Sequence, residues 1–318
     1  YEIYQCDWSS DVCSSDLLHN FAPFEPNQSG YPMVQFDKDD VEAIGLLKLD
    51  ILGVRMQSAI AYSLKEIERV EGKAIDIDGI SLDDPETYKL IGSTKTLGIF
   101  QIESPGQREL VGKFLPKDFT DITIDISLFR PGPVKSDMIT PFLSARHGFA
   151  NRVRLHPKID PILDESDGVL VFHEQVIRVV SVVAGVSLAQ ADEVRRSLGK
   201  LENRESVGEW FYSAALANGF EIPVIDRVWE ILTAFASFGF CKAHAAAFAL
   251  PTYQSAWLKT HHTAAFLAGV LTHDPGMYPR RLILDEARQF GIQIKPVDIN
   301  LSAKEYIVEK VKIGRAHV

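Results

Sequence analysis

The chain has 318 residues, with 33 Lys and Arg against 43 Asp and Glu, for a formal net charge of -10. That acidity argues against a protein that coats nucleic acid nonspecifically, while leaving room for a local basic channel. Its three cysteines are too few for a disulfide framework and fit a reducing cytosol, and its apolar runs are broken by polar residues well short of a membrane span.

The first seventeen residues, YEIYQCDWSSDVCSSDL, have no helical or strand periodicity and lack the basic and apolar regions of a secretory signal. DWSSDVCSSDL, and IGRAHV at 313–318, resemble conceptual translations of sequencing adapters. Residues 1–17 are therefore expected to be a disordered artefact, residues 312–318 another, and the remainder an internal piece of a longer protein. Setting the ends aside removes Glu2, Asp7, Asp11, Asp16, Lys312 and Arg315, leaves Cys241 as the only cysteine, and leaves the chain acidic. About 290 residues remain, enough for one large core or two small ones.

Along the chain, GLLKLDILG at 45–53 alternates between glycines, so Leu47, Leu49 and Ile51 share one face of a predicted strand and Lys48 and Asp50 the other. Met56, Ile60, Leu64, Ile67 and Val70 then recur at helical spacing until Gly72. In SLDDPETYKLI, Asp83 or Asp84 caps a helix with Pro85 and Glu86 in its first turn. SLFRPGPV at 127–134 is a turn that no helix or central strand accommodates. VFHEQVIRVVSVVAG reads as a buried helix ended by Gly185, and SLAQADEVRRSLGK opens with Ser187 and Gln190 in capping-box spacing. This second helix puts Arg196 and Lys200 on one face. A further helix runs from Val224 to about Phe238. A GFCK turn and an alanine-rich segment reaching about His262 follow, and Pro251 is expected to kink or restart that segment. The predicted fold is mainly α, with a short sheet remnant at the N-terminal end and no internal repeat.

Several motifs bear on chemistry. Asp50, two residues from Lys48 on one strand face, reads either as a solvated ion pair or as one of the carboxylates that a two-metal phosphoryl-transfer site requires. Arg195, Arg196 and Lys200 crowd two guanidiniums and an ammonium near Gly199, a set that can clamp phosphate oxygens. Asp192, three residues before Arg195 and four before Arg196, offers the competing reading of local ion pairs on a solvated helix. No GxxxxGK[ST] and no GxGxxG occurs. GFCKAH at 239–244 places Lys242 and His244 at a helix entrance, where backbone N–H groups and the positive dipole end favour an anion. His261, His262 and His273 lack zinc-ligand spacing and read as surface or capping residues. IDIDG at 75–79 offers a DxD pair but reads as loop, and Asp37, Asp39 and Asp40 suit a helix N-terminus.

Together, VQFDKDDVEAIGLLKLDILG, IFQIESPGQ, LFRPGPV, VFHEQVIRVV, SLAQADEVRRSLGK, FGFCKAHAAAFAL, YQSAWLKTHH and IKPVDIN resemble the alpha subunit of bacterial DNA polymerase III, the C-family polymerases, in family order across nearly all of residues 28–300. The resemblance implies the C-terminal end of a palm at 18–55, helical fingers at 56–300 and the start of a following segment at 301–311. Asp50 would be the third catalytic aspartate and a magnesium ligand, with Lys48 beside the reacting phosphates. Arg195, Arg196 and Lys200 would bind the triphosphate, with Lys242 and His244 as further nucleotide contacts. The reaction implied is template-directed DNA synthesis: a primer 3′ hydroxyl attacks the α phosphate of a dNTP, and two magnesium ions stabilise the attacking and leaving oxygens.

Expected partners are primer–template DNA, dNTP and, through regions outside this chain, a sliding clamp and other replisome subunits. The expected location is the cytoplasm, with no membrane association. The family's two other palm aspartates lie upstream of this segment, so the piece alone is expected to be inactive. Cys241 stands where replicative members usually have asparagine, and Thr263 where proline is usual. A noncatalytic helical DNA-binding module is the alternative, and it lacks one requirement of the polymerase reading: that Arg195, Arg196 and Lys200 face the same cleft as Asp50. A different nucleotidyltransferase would need IDIDG as its acid pair.

Overall fold

The structure, a computed structural model, describes residues 21–46, 53–129, 139–199, 201–235 and 240–309. The chain divides into two compact units, residues 1–54 and 55–318. The strand expected across Leu47, Leu49 and Ile51 and the Pro-Gly-Pro turn at 131–133 lie outside the described residues.

In the first unit, strands β1 (Phe24–Pro26) and β2 (Pro32–Val34) pair antiparallel, Phe24 opposite Val34. The turn forms because the Asn27 carboxamide oxygen accepts from the N–H of Ser29 at 2.8 Å and of Tyr31 at 3.0 Å, while Gly30 takes a φ of +85° that a side chain would disfavour. Helix α1 (Lys38–Ala43) starts on a reciprocal pair: Asp37 accepts from the Asp40 N–H at 2.9 Å, and Asp40 from the Asp37 N–H at 3.2 Å. These acids serve a helix start, as their pattern predicts.

The second unit is helical. Helix α2 (Arg55–Glu71) buries Met56, Ala59, Ile60, Ser63 and Ile67 at three- and four-residue steps, and Gly72, at φ +70°, follows it. Helices α3 (Pro85–Gly92), α4 (Pro105–Phe114), α5 (Phe119–Leu128), α6 (Ile139–Arg146) and the single turn α7 (Asp160–Leu163) lead to α8 (His173–Ala184) and α9 (Leu188–Leu198). Helices α10 (Arg204–Ala217), α11 (Ile222–Phe235), α12 (Lys242–His261), α13 (Thr263–His273) and α14 (Arg280–Gln289) complete it. Asp84 is the cap of α3, accepting from the Thr87 N–H at 3.2 Å.

Two of the buried clusters bear most on the arrangement of these helices. In one, Ala249, Tyr253 and Ala256 of α12 pack with Ile91, Ile99 and Ile122, and the Tyr253 hydroxyl donates to the Ser81 carbonyl at 2.8 Å. Of the two outcomes expected at Pro251, the restart does not occur: α12 runs through it as one helix, with the proline buried. A buried surround compensates for the one backbone hydrogen bond that proline removes. In the other core, Val179, Val180 and Val183 of α8 meet Phe211 of α10 and Ile225 and Leu232 of α11. Between α8 and α9 the chain turns by 113° at Gly185, whose φ is +69°.

The entrances of α8 and α12 lie side by side. Phe172 and Phe240 form a parallel bridge, and the His173 N–H donates to the Phe240 carbonyl at 2.9 Å. Phe172 anchors this seam by being fully buried among Phe142, Leu128 and Ala245.

Candidate nucleotide-binding site

Helix α9 is positioned by its own start: the Ser187 hydroxyl accepts from the Gln190 N–H at 3.3 Å, and the Gln190 side chain accepts from the Ser187 N–H at 3.1 Å. Ala191 and Leu198 point into the core, which leaves Asp192, Arg195 and Arg196 towards the outside. Arg195 donates to one oxygen of Asp192 at 2.8 Å, and Arg196 to the other at 3.0 Å. The hydrogen bond from Arg195, joined by that from Arg196, holds the Asp192 carboxyl below the usual carboxylate range despite slight burial. The local ion pairs therefore form. Two guanidiniums share a single carboxylate, so positive charge is left over, and it is most accessible at Arg196, whose side chain is 73% exposed against 23% for Arg195. Lys200 lies outside the described residues.

The entrance of α12 already holds an anion. Both carboxylate oxygens of Glu174, in the first turn of α8, accept from the Lys242 N–H, at 2.9 and 3.0 Å, and the Cys241 thiol donates to Glu174 at 3.4 Å. Burial pushes the Glu174 carboxyl up, but these donors with the N–H groups of Glu174 itself and Ala243 outweigh it and hold the carboxyl below the ordinary range. The Lys242 ammonium pairs with Glu165 and lies 5.5 Å over the Phe172 ring. His244 is exposed and sits edge-on between Phe240 and Phe248, at centroid distances of 5.3 and 4.5 Å. Among the described residues no hydrogen bond or ion pair joins Lys242 or His244 to Arg195 or Arg196.

Gln175 sets the seam from beneath. Its buried carboxamide oxygen accepts from the N–H groups of Val171 and Phe172 at 2.8 and 3.0 Å, and its nitrogen donates to the Ser166 hydroxyl at 2.7 Å. Glu165, Glu174 and Gln175 are roles that the sequence analysis did not assign. An acid in the first turn of a helix already satisfies that helix's own dipole, and Glu174 and Cys241 stand 67 positions apart, beyond any spacing rule.

Lys48 and Asp50 lie outside the described residues. Among the described residues no group of three or more His, Cys, Asp or Glu could hold a metal ion. IDIDG is a turn: Asp76 accepts from the Asp78 N–H at 3.2 Å, and Asp78 accepts from the Gln254 carboxamide at 3.1 Å. Its acids are engaged in loop and packing bonds, in keeping with the loop reading. His261 meets Asp84 at 2.6 Å and His262 meets Glu71 at 3.1 Å, while His273 packs edge-on against Tyr62. His262, only 13% exposed, stands at the cap position between α12 and α13, the capping rather than the surface alternative. Among the described residues no single helix is long and apolar enough to cross a membrane.

The model of the bacterial DNA polymerase III alpha subunit finger domain matches residues 56–219, a span that includes Glu165, Glu174, Arg195, Arg196 and Lys200. The model of the bacterial DNA polymerase III alpha NTPase domain matches residues 9–53, which include Lys48 and Asp50. The chain belongs to the bacterial DNA polymerase III alpha subunit family.

Relatives carry two names. The chain is 39% identical over 303 residues to the error-prone DNA polymerase of Symbiobacterium thermophilum, covering 94% of this chain and 28% of that protein. It is 36% identical to the DNA polymerase III subunit alpha of Haemophilus influenzae, covering 94% of this chain and 27% of that protein. To the subunit alpha of Pseudomonas aeruginosa it is also 36% identical, covering 94% and 26%. The chain thus spans little more than a quarter of the length of these relatives.

Proposed function

We propose that this chain is the end of a palm, residues 18–55, followed by most of the fingers, residues 56–300, of a DNA-directed DNA polymerase that transfers nucleotides from dNTP to a primer 3′ hydroxyl. Primer–template DNA and dNTP are its substrates, a sliding clamp and other replisome subunits its partners through other parts of the parent protein, and the cytoplasm its location. Arg195, Arg196 and Lys200 neutralise the triphosphate, and Lys242 and His244 approach the same nucleotide from α12. Asp50 contributes one carboxylate to a magnesium site and Lys48 lies beside the phosphates. Magnesium, when bound, supplies charge to the reacting oxygens.

One observation carries this reading: Arg195 and Arg196 share the single carboxylate of Asp192, so the pair retains positive charge in an acidic chain. A polyphosphate, with oxygens at matched spacing, takes guanidinium donors in bidentate fashion. The test is Arg195→Ala in the full-length polymerase, with nucleotide KM and kcat measured on primed template. Loss of one such preorganised cation is expected to cost about 2 to 4 kcal/mol of transition-state stabilisation. Unchanged incorporation would show that α9 does not hold the nucleotide and would favour the noncatalytic DNA-binding module.

A further inference from the structure

Glu165 and Glu174 place two carboxylates around a lysine read as a phosphate contact. By charge alone this is unfavourable for a site that takes a polyanion, because each acid repels the ligand. The two acids do different things. Glu165 pairs with the Lys242 ammonium at the end of its side chain. Among the described residues Glu174 has no hydrogen bond or ion pair to a side-chain cation. It grips the backbone N–H of Lys242 through both oxygens, at 2.9 and 3.0 Å, and the Cys241 thiol at 3.4 Å.

From this geometry we infer that Glu174 is a positioning residue for nucleotide binding, fastening the entrance of α12 to the entrance of α8, and that Glu165 holds the Lys242 ammonium until a polyphosphate displaces it. The inference rests on the reading of Lys242 and His244 as nucleotide contacts. Glu174 acts on the first helical residue of α12, so it sets where the side chains of Lys242 and His244 leave the helix. The neighbouring Phe172–Phe240 bridge fixes the residue on each side of the grip. Gln175, buried beneath, fixes the N–H groups of Val171 and Phe172 and so keeps the first turn of α8 from rotating. A fastening of this kind preorganises the site without meeting the ligand.

The two acids can be told apart by sign. A purely electrostatic account expects removal of either carboxylate to favour the polyanion and lower the nucleotide KM. Positioning expects opposite outcomes. In the full-length polymerase, with KM and kcat measured on primed template, Glu174→Ala is expected to raise nucleotide KM by about tenfold or more, since small misplacements of binding groups cost that much or more, while kcat changes little. Glu165→Gln is expected to lower KM. Glu174→Gln, which keeps one carbonyl acceptor for the Lys242 N–H, is expected to fall between wild type and Glu174→Ala. KM does not depend on how much of the enzyme is folded, so a merely structural role for Glu174 would leave it unmoved.

Lys242→Ala separates the two readings. If it raises KM and Glu174→Ala does not, the positioning inference alone is overturned. If it leaves KM unchanged, the nucleotide reading of Lys242 is overturned and the inference falls with it. Should Glu174→Ala fail to fold, Glu174→Gln carries the test, and an unchanged KM in that variant overturns the inference.

Discussion

The ammonium of Lys259, wholly buried on α12, donates to the carboxylate of Glu286 on α14 at 2.7 Å. Two backbone carbonyls complete its shell, Lys95 at 2.8 Å and Leu97 at 2.7 Å, and the Phe290 ring lies 5.1 Å away. One side chain therefore ties the long helix to the loop before α4 and to the last helix of the unit.

Replacing Lys259 by Met leaves Glu286 and two carbonyls without their donor, so the variant is expected to lose about 3 to 5 kcal/mol of stability. A double change, Lys259→Met with Glu286→Leu, should recover much of that loss, because both desolvated charges are then gone. Urea midpoints of the two variants and the parent check this. Burial, which outweighs Glu286, brings the lysine down to about 8 from its ordinary 10.5. The folded state thus binds fewer protons than the unfolded state between those values. The cost of burying the charge is present below about pH 8 and is relieved as pH rises towards 10.5, and Lys259→Met should lack this rise.

Asp125 on α5 is fully buried, and among the described residues neither of its carboxylate oxygens has a hydrogen-bond partner. Desolvation, helped by the nearby charge of Asp121, raises its pKa well above the ordinary carboxylate value. Asp125→Leu is expected to stabilise the protein at pH 7 by about 1 to 3 kcal/mol. The raised group is protonated in both states below about pH 4 and loses its contribution as pH rises. The gain from Leu should therefore shrink as pH falls to 4, and thermal unfolding at several pH values measures it.

Gly269 on α13 admits no side chain. A Cβ there would sit 2.5 Å from the Ala59 carbonyl oxygen and 2.6 Å from the Ser63 hydroxyl, and that hydroxyl is itself bonded to the Ala59 carbonyl. Because one of the obstacles is backbone, α2 and α13 must move apart. Gly269→Ala is expected to destabilise by about 1 to 3 kcal/mol, despite the better helix propensity of alanine, which a denaturation curve will show.

Gln175→Ala removes the acceptor of two buried N–H groups, those of Val171 and Phe172. Leaving these donors unpaired is expected to cost about 2 to 4 kcal/mol. Hydrogen exchange at Phe172 and Val171 should accelerate in the variant, which separates local loosening of the α8 entrance from a global loss of stability.

The helices were legible because their signals are local. The caps at Asp84, Ser187 and Gly185, and the apolar spacing of Met56, Ile60 and Ile67, depend only on neighbours within a turn or two. The hairpin at 24–34 was not legible: its strand residues are mostly exposed, so they show no alternation of buried and exposed positions, and the turn rests on the Asn27 carboxamide. The restart expected at Pro251 does not occur, for a related reason. Its cost to a helix is local, whereas the packing that holds α12 together comes from distant segments such as those of Ile91, Ile99 and Ile122.

By itself the sequence determined the mainly helical character, the family and the cation cluster of Arg195 and Arg196, since residue spacing and motif order are properties of the chain alone. The ion pairs of Asp192 with both arginines, three and four residues along one helix, were one of the two readings that this spacing offered. Only the tertiary structure decided that Glu174 fills the entrance of α12, and that Lys259 is buried among α12, α14 and the loop before α4. Each of those depends on which groups remain for a charge to meet once water is excluded, and that is set by folding the chain in three dimensions.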